Sequence, residues 1–498
     1  PLPPARHGLF IAFPEPPIGI AYNRVMNPFL RRCILIVCVL LLVSDHALAE
    51  TASKTVDVPF VVACPFATVA DELSFDALRA LWRKGLAETE EIAHLTLRPE
   101  AIALFSDAFG PPDPSAIFTA VDPVGKIRGG NRGCALIPAV ELTPELKRIR
   151  VGASPAPWDA AYDPTADPLN RSVPAREPLA EKSFDRSLVS RVLITGTTAL
   201  TRNTSYAMAQ NGATWAGSAV KEIFESADIR HISNESSFWT KCPEPIRSRT
   251  MQFCTPYEDW RLFESLGVNL IELTGNHLRD YDWPPLLETF ELFEREGIPY
   301  YGAGRTIEAA AQPYVLRHNG NDFVFLGCNS AGPEHVFVTG TLPGVHRCDF
   351  DQLEADVRRY AEAGKIVIVT LQYGEAYSRK PGDYQKRDFD RISEAGAVVV
   401  SGSQSHFAQS YRVSPDRIVH YGLGNLFFDQ MDTPIVGTRQ ELLDRHIFYD
   451  GRLLQTEIQT AMLTEFARPI PMTSAERSAL LNEILPLTEG LGTREEAR

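Results

Sequence analysis

Within the stretch from Gly267 to Asp280, an amide, an imidazole and a carboxylate, Asn276, His277 and Asp280, follow directly on an apolar run from Val268 to Leu273. Such a trio can bind a cation or polarise a phosphate, with Asp280 orienting the His277 ring for proton transfer. The plainer reading is a turn after Gly275 that ends in a helix cap. The apolar run decides what must position these groups: it predicts a strand that ends at a corner leading into a helix, and such corners are where open α/β sheets place ligands.

The same pattern recurs along the chain. Polar residues close apolar runs at Ile194-Thr-Gly-Thr-Thr198, Ser233-Asn-Glu-Ser-Ser237, Leu371-Gln-Tyr-Gly-Glu375, Ser401-Gly-Ser-Gln-Ser-His-Phe407 and Tyr421-Gly-Leu-Gly-Asn425. One polar strand end is uninformative, but several in one α/β domain predict a single site assembled from many loops. The elements that carry them alternate. Strands are expected at Ser190–Thr195, Ile229–Ser233, Ile298–Tyr301, Asn321–Cys328, Lys365–Gln372, Ala397–Ser401 and Ile418–Tyr421. Helices are expected at Ala216–Ala227, Tyr257–Leu266 and Leu286–Glu296. Short apolar strands separated by helices imply a sheet arrangement covered on both faces.

Before this region, residues 50–182 read as a smaller α/β domain, with a strand at Phe60–Cys64, a Ser74-capped helix to Trp82 and a strand at Cys134–Pro138. It faintly resembles one lobe of a solute-binding protein of the phosphate-binding type, and an accessory structural domain is the competing reading. The Pro-rich run from Ser154 to Pro178 reads as an arm or linker. After it, the segment from Glu441 to Asp450 reads as helix and turn, Leu453–Leu463 as a strand, and Thr473 as the cap of a closing helix, so that residues 451–498 form an extension of strand and helix.

At 498 residues the chain is long enough for two domains, and its net charge of -14 argues against a general nucleic-acid partner. Residues 1–25 read as an over-extended start, and residues 26–49, with Arg31-Arg32, an apolar run and Ala47-Leu-Ala49, as a signal peptide. Secretion is therefore expected, with an uncleaved membrane anchor as the variant. Without Cys33 and Cys38, six cysteines remain; Cys242/Cys254 and Cys328/Cys348 are natural local pairs in an oxidising compartment. No CxxC spacing points to a thiolate zinc site.

The order of Gly196-Thr-Thr-Ala-Leu-Thr-Arg202, Asn234-Glu235, Gly275-Asn-His277 with Asp280, Tyr301-Gly-Ala-Gly-Arg305, Gln372-Tyr-Gly374, Gly402-Ser-Gln-Ser-His406 and Tyr421-Gly-Leu-Gly-Asn425 resembles the CapA family of poly-γ-glutamate capsule biosynthesis proteins. The resemblance implies a four-layer αββα sandwich of the calcineurin-like metallophosphoesterase type over about residues 183–450. It also implies a two-metal site, with Glu235 as bridging carboxylate, Asn276 and His406 as ligands, and His277 facing the substrate. Thr197 stands where the family has an Asp, and Gln372 and Gln404 stand where it has histidines; with Asn425, Thr197 then falls to substrate binding.

With Glu235 as the charged ligand and Gln372 and Gln404 as weak neutral ones, the set suits one divalent cation (manganese, magnesium, calcium or zinc) or none, better than two tightly held metals. Three functions follow from the resemblance. One is metal-assisted hydrolysis or transfer in envelope-polymer synthesis. Another is binding of an anionic polymer or small ligand without turnover. The last is a scaffold in a membrane-associated envelope assembly.

Overall fold

Asn321–Asn329 and Ile366–Gln372 each carry an unbroken apolar core, Phe323–Leu326 and Ile366–Val369, and Val399–Ser403 is buried throughout; such segments are stable only where both faces of a strand are covered. The computed structural model describes residues 54–128, 133–431 and 436–490, and in it these three strands lie side by side and parallel. The predicted start and signal peptide, residues 1–49, lie outside the described residues. No helix among the described residues is long and apolar enough to cross a membrane.

Two sheets face one another. The first runs in the order Tyr300–Tyr301, Leu270–Glu272, Ile229–Asn234, Val189–Thr195, Gln440–Tyr449, Arg452–Thr464, Arg468–Pro471. The second runs Tyr314–His318, Asn321–Asn329, Ile366–Gln372, Val399–Ser403, Ile418–His420, Tyr411–Val413. Val192, Ile194 and Leu270 of the first pack against Phe323, Phe325 and Ile368 of the second in the space between them. Helices cover both outer faces. Phe224, Phe263, Phe290 and Phe293 bury against the first sheet, and Leu353, Val357, Phe389 and Ile392 against the second. This is the helix, sheet, sheet, helix sandwich that the resemblance implies.

A third, mixed sheet precedes it, ordered Glu72–Leu73, Leu146–Val151, Thr55–Pro65, Cys134–Pro138, Leu95–Leu97, Ile117–Thr119. The helix Phe75–Lys84, capped by the Ser74 side chain, and the helix Pro99–Phe109 pack Trp82, Phe105 and Phe109 on this sheet, with Phe60 from its central strand. The Pro-rich arm is not wholly irregular: Asn170–Pro174 forms a short strand beside Thr55–Pro65.

Two expectations are corrected. Gln440–Tyr449 is a central strand and not a helix. It turns through Asp450 and Gly451, at φ 48° and 81°, into the antiparallel strand Arg452–Thr464. Two successive positive φ values are what a tight hairpin demands, and Asp-Gly is the dipeptide that supplies them most readily. The stretch read as a C-terminal extension thus builds two strands of the first sheet, closed by the Thr473-capped helix Ser474–Ile484.

The helix expected over Ala216–Ala227 is instead two short ones, Ala213–Gly217 and Lys221–Glu225. Gly217 lies where a Cβ would come within 2.8 Å of Leu262 of the helix Arg261–Leu266, so close packing against that helix accompanies the break.

Candidate functional site

Parallel strands leave their carboxyl ends together, so the predicted polar corners meet at one edge of the sandwich. Thr197 follows Val189–Thr195, Asn234-Glu235 ends Ile229–Asn234, and Asn276-His277 follows Leu270–Glu272. From the other sheet come Gln372, Gln404 with His406, and Asn425. The segment from Thr274 to Trp283 is loop, with the helix starting only at Pro284. Gly275 has to be glycine there, because a Cβ would sit 2.4 Å from the Glu235 Cα and 2.5 Å from its carbonyl oxygen.

Glu235 lies at the heart of the site. Its side chain is buried, and neither carboxylate oxygen has a hydrogen-bond partner. Burial raises its pKa above the ordinary value, partly offset by the nearby His277, His406 and Arg202.

Both imidazoles are held through Nδ1, which leaves Nε2 uncommitted to a close partner. His277 Nδ1 lies 2.6 Å from Asp280 Oδ2, and its ring stacks on Phe253 with centroids 3.7 Å apart. Burial pushes its pKa down, but the Asp280 hydrogen bond and the Glu235 charge win, and the net shift is upward. His406 Nδ1 lies 2.8 Å from Asn425 Oδ1, an acceptor, so Nδ1 carries the proton. The His406 ring stacks on Phe428 at 5.1 Å, and its Nε2 lies 3.8 Å from the exposed Glu375. His406 and Gln404 both sit at positive φ, 54° and 75°, unusual for residues with a Cβ and a mark of a constrained site loop.

The amides form a separate chain. The Gln372 side-chain nitrogen donates to Asn276 Oδ1 and to Gln404 Oε1, both at 2.7 Å. The Gln404 backbone N–H donates to Thr197 Oγ1 at 3.1 Å. Thr197 also pairs with Asn425 through the backbone. The oxygens that Asn276 and Gln404 would offer a cation are therefore engaged by protein.

Three site residues carried no role in the sequence reading. Arg202 lies within the resembling motif; its guanidinium bonds Asp429 and lies 4.6 Å from the Phe253 ring and 5.1 Å from the Phe428 ring. Asp429 is buried, accepts from the Asn203 backbone at 3.1 Å and is no ordinary surface acid. Phe253 is brought in by the loop that the Cys242–Cys254 disulfide closes, and its own N–H donates to Asp280 at 2.7 Å. The cysteine spacing was the one signal that pointed to this loop. Cys328–Cys348 also forms as expected, and Cys64–Cys134 joins two neighbouring strands of the third sheet.

The donor set can be tested against the metals that the resemblance implies. The orphaned Glu235 carboxylate would welcome a cation, but among the described residues no three His, Cys, Asp or Glu side chains converge closely enough to hold one. With Thr197 and the closed Gln372 amide chain in place of anionic and imidazole donors, these residues do not fit a two-metal centre.

Residues 191–430 match the family model of the bacterial capsule synthesis protein PGA_cap. The chain carries a PGA_cap domain. Over 222 residues it is 26% identical to the capsule biosynthesis protein CapA of Bacillus anthracis, covering 44% of this chain and 53% of that one. Over 225 residues it is 23% identical to the PGA biosynthesis protein CapA of Bacillus subtilis, covering 44% and 58%. The chain thus spans about half the length of the curated relatives it matches. Among solved structures, the Haemophilus influenzae NAD nucleotidase is 10% identical with a TM-score of 0.34, over 59% of this chain and 55% of that one. A 5'-nucleotidase precursor from Thermus thermophilus is 11% identical with a TM-score of 0.33, over 58% of each chain. The fold of the PGA_cap domain rests on its own two sheets and their helical layers, not on likenesses of this size.

Proposed function

We propose that this chain acts outside the cytoplasm in the biosynthesis of a capsule or poly-γ-glutamate polymer, and that its cleft handles the polymer by proton transfer rather than through two metal ions. The family match and the CapA relatives support the pathway. Three disulfides support an oxidising compartment. The observation that carries the chemistry is Glu235: a buried carboxylate with both oxygens unpartnered, in the field of two imidazoles that are each fixed through Nδ1.

In this reading the polymer lies over Glu235. Glu235 accepts the proton of an attacking water, and His277, kept protonated by Asp280, gives one from Nε2 to the departing amine. Asn425 fixes the His406 ring so that its free Nε2 accepts from a backbone N–H of the polymer, and Arg202 supplies positive charge. The partners are the anionic polymer and a membrane-associated envelope assembly; no nucleic acid is involved.

The test incubates the purified full chain with poly-γ-glutamate and follows polymer length by size-exclusion chromatography. The native protein shortens the polymer and His277→Ala does not; turnover retained in that variant removes His277 from the mechanism. The second reading, binding without turnover, is favoured by the closed amide chain of Gln372. It predicts an unchanged polymer length in both proteins and comparable affinities by calorimetry.

A further inference from the structure

Away from the PGA_cap cleft, the third sheet meets the sandwich along a seam between the strands Leu146–Val151 and Arg452–Thr464. Hydrogen bonds stitch it: the Arg148 backbone N–H donates to Gln455 Oε1 at 2.9 Å, and the Trp158 indole to Glu457 at 3.0 Å. Within the seam is a cavity of about 440 Å³, in the size range of small-molecule sites. All of its lining but Ile223 lies outside residues 191–430, so the family match assigns it nothing.

The charge of the lining runs against that of the chain. In a protein of net charge -14, Lys147, Arg148, Arg150, Arg445 and Arg477 line the cavity. Against these five cations stand three acids, Asp71, Asp159 and Glu457, and each acid is already engaged. Lys147 holds Asp71 at 2.6 Å and Arg477 holds it too; Arg445 bridges Asp159 at 2.9 Å and Glu457 at 2.6 Å.

Arg148 is left over. It is half-buried, its Nη2 donates to the Ser154 carbonyl at 2.9 Å, and no carboxylate among the described residues lies within bridging distance of it. Burial lowers its pKa despite the more distant Glu457, Asp159 and Asp167, as for a cation short of a counter-charge. The rest of the lining is amphipathic, with Thr68, Thr456 and Thr460 beside Phe66, Leu481 and Leu485.

We infer that this seam cavity is a second binding site, for a small organic acid whose oxyanion head pairs with the Arg148 guanidinium and whose apolar body lies against Phe66, Leu481 and Leu485. A carboxylate and a phosphate monoester share this chemistry, since the guanidinium fork matches both.

The experiment is calorimetry on the full chain with hexanoate and phenyl phosphate as the two heads and hexylamine as the cationic counterpart. At least one acid is expected to bind one-to-one with a Kd of about 1 mM or tighter, the stronger of the two naming the head group, and the amine not to bind. Arg148→Met should weaken that binding about tenfold or more, and Arg148→Lys by less. Glu235→Gln, in the PGA_cap cleft, should leave it unchanged. Ile223→Trp, which fills the cavity and spares Arg148, should abolish it, and so covers the case in which Arg148→Met fails to fold. Binding of neither acid by the native chain, equal binding by Arg148→Met and native, binding retained in Ile223→Trp, or binding lost in Glu235→Gln would each overturn the inference.

Discussion

The two halves of the cleft solve the same placement problem with opposite chemistry. The half on the first sheet carries charge: Glu235 unpartnered, His277 held by Asp280, Arg202 held by Asp429. The half on the second sheet offers neutral amides, with Gln372 donating to Gln404 beside it and across the cleft to Asn276. A buried polar group left unpaired costs free energy, and a closed network does not, so the first half is poised to act and the second to hold shape. The difference teaches that one wall of a cleft can offer groups able to move a proton while the other offers only amides that hold its shape.

The largest effect expected is at His277. His277→Ala should lower polymer turnover by about 100-fold or more, in line with losing a general acid. Gln372→Ala should lower it by less than about tenfold; equal losses would erase the contrast between the halves. Rebuilding the second wall is the next test. Thr197→Asp with Gln372→His and Gln404→His should retain manganese or zinc after dialysis, where the native chain retains less than one equivalent by elemental analysis. A native chain that holds a full equivalent, lost in Glu235→Ala, would break the comparison.

Stability separates the halves more gently. Gln372→Leu leaves the buried Gln404 oxygen and the half-buried Asn276 oxygen without this donor and should cost about 1–3 kcal/mol in urea unfolding. Glu235→Gln should act in the other direction, and with pH. Because the folded-state pKa of Glu235 is raised, its contribution is fully favourable only below the ordinary value of 4.5 and is lost as pH rises through the folded value. The variant should therefore gain stability relative to native at pH 8 and lose that gain at pH 4. The smallest effect belongs to Asp280→Asn, read by NMR titration of His277. With its partner uncharged, the midpoint should fall toward or below 6.5, and with it the stability that the raised pKa contributes below that value and loses as pH rises through the folded midpoint.

The central strands of the sandwich were readable from the sequence, because Asn321–Asn329 and Ile366–Gln372 carry apolar cores, Phe323–Leu326 and Ile366–Val369, that are too short for a buried helix. Gln440–Tyr449 was not. Glu441, Asp444, Arg445 and His446 break its apolar pattern, yet all four are buried. Asp444 is held by His420 at 2.6 Å and by the Tyr411 hydroxyl at 2.9 Å, partners far away in sequence. A strand that buries its polar residues, with Asp444 and Arg445 paired by tertiary contacts, looks like a surface helix until those contacts are seen.

The candidate site divides the same way. Asn276, His277 and Gln404 announce themselves as polar residues at strand ends, whereas Phe253 sits in a loop with no periodicity and matters only because the chain folds it onto His277. Asp429 follows two phenylalanines and reads as ordinary until Arg202 is placed beside it.

The link between Cys242 and Cys254 also bears on how this protein can be prepared. The residues it encloses end at Phe253, whose ring and backbone hold His277 and Asp280 in register. A chain produced in a reducing cytosol would form none of its three disulfides, and the one nearest the cleft is the clasp on His277. A soluble, well-folded and inactive preparation would then report the history of two thiols and not the chemistry of the protein.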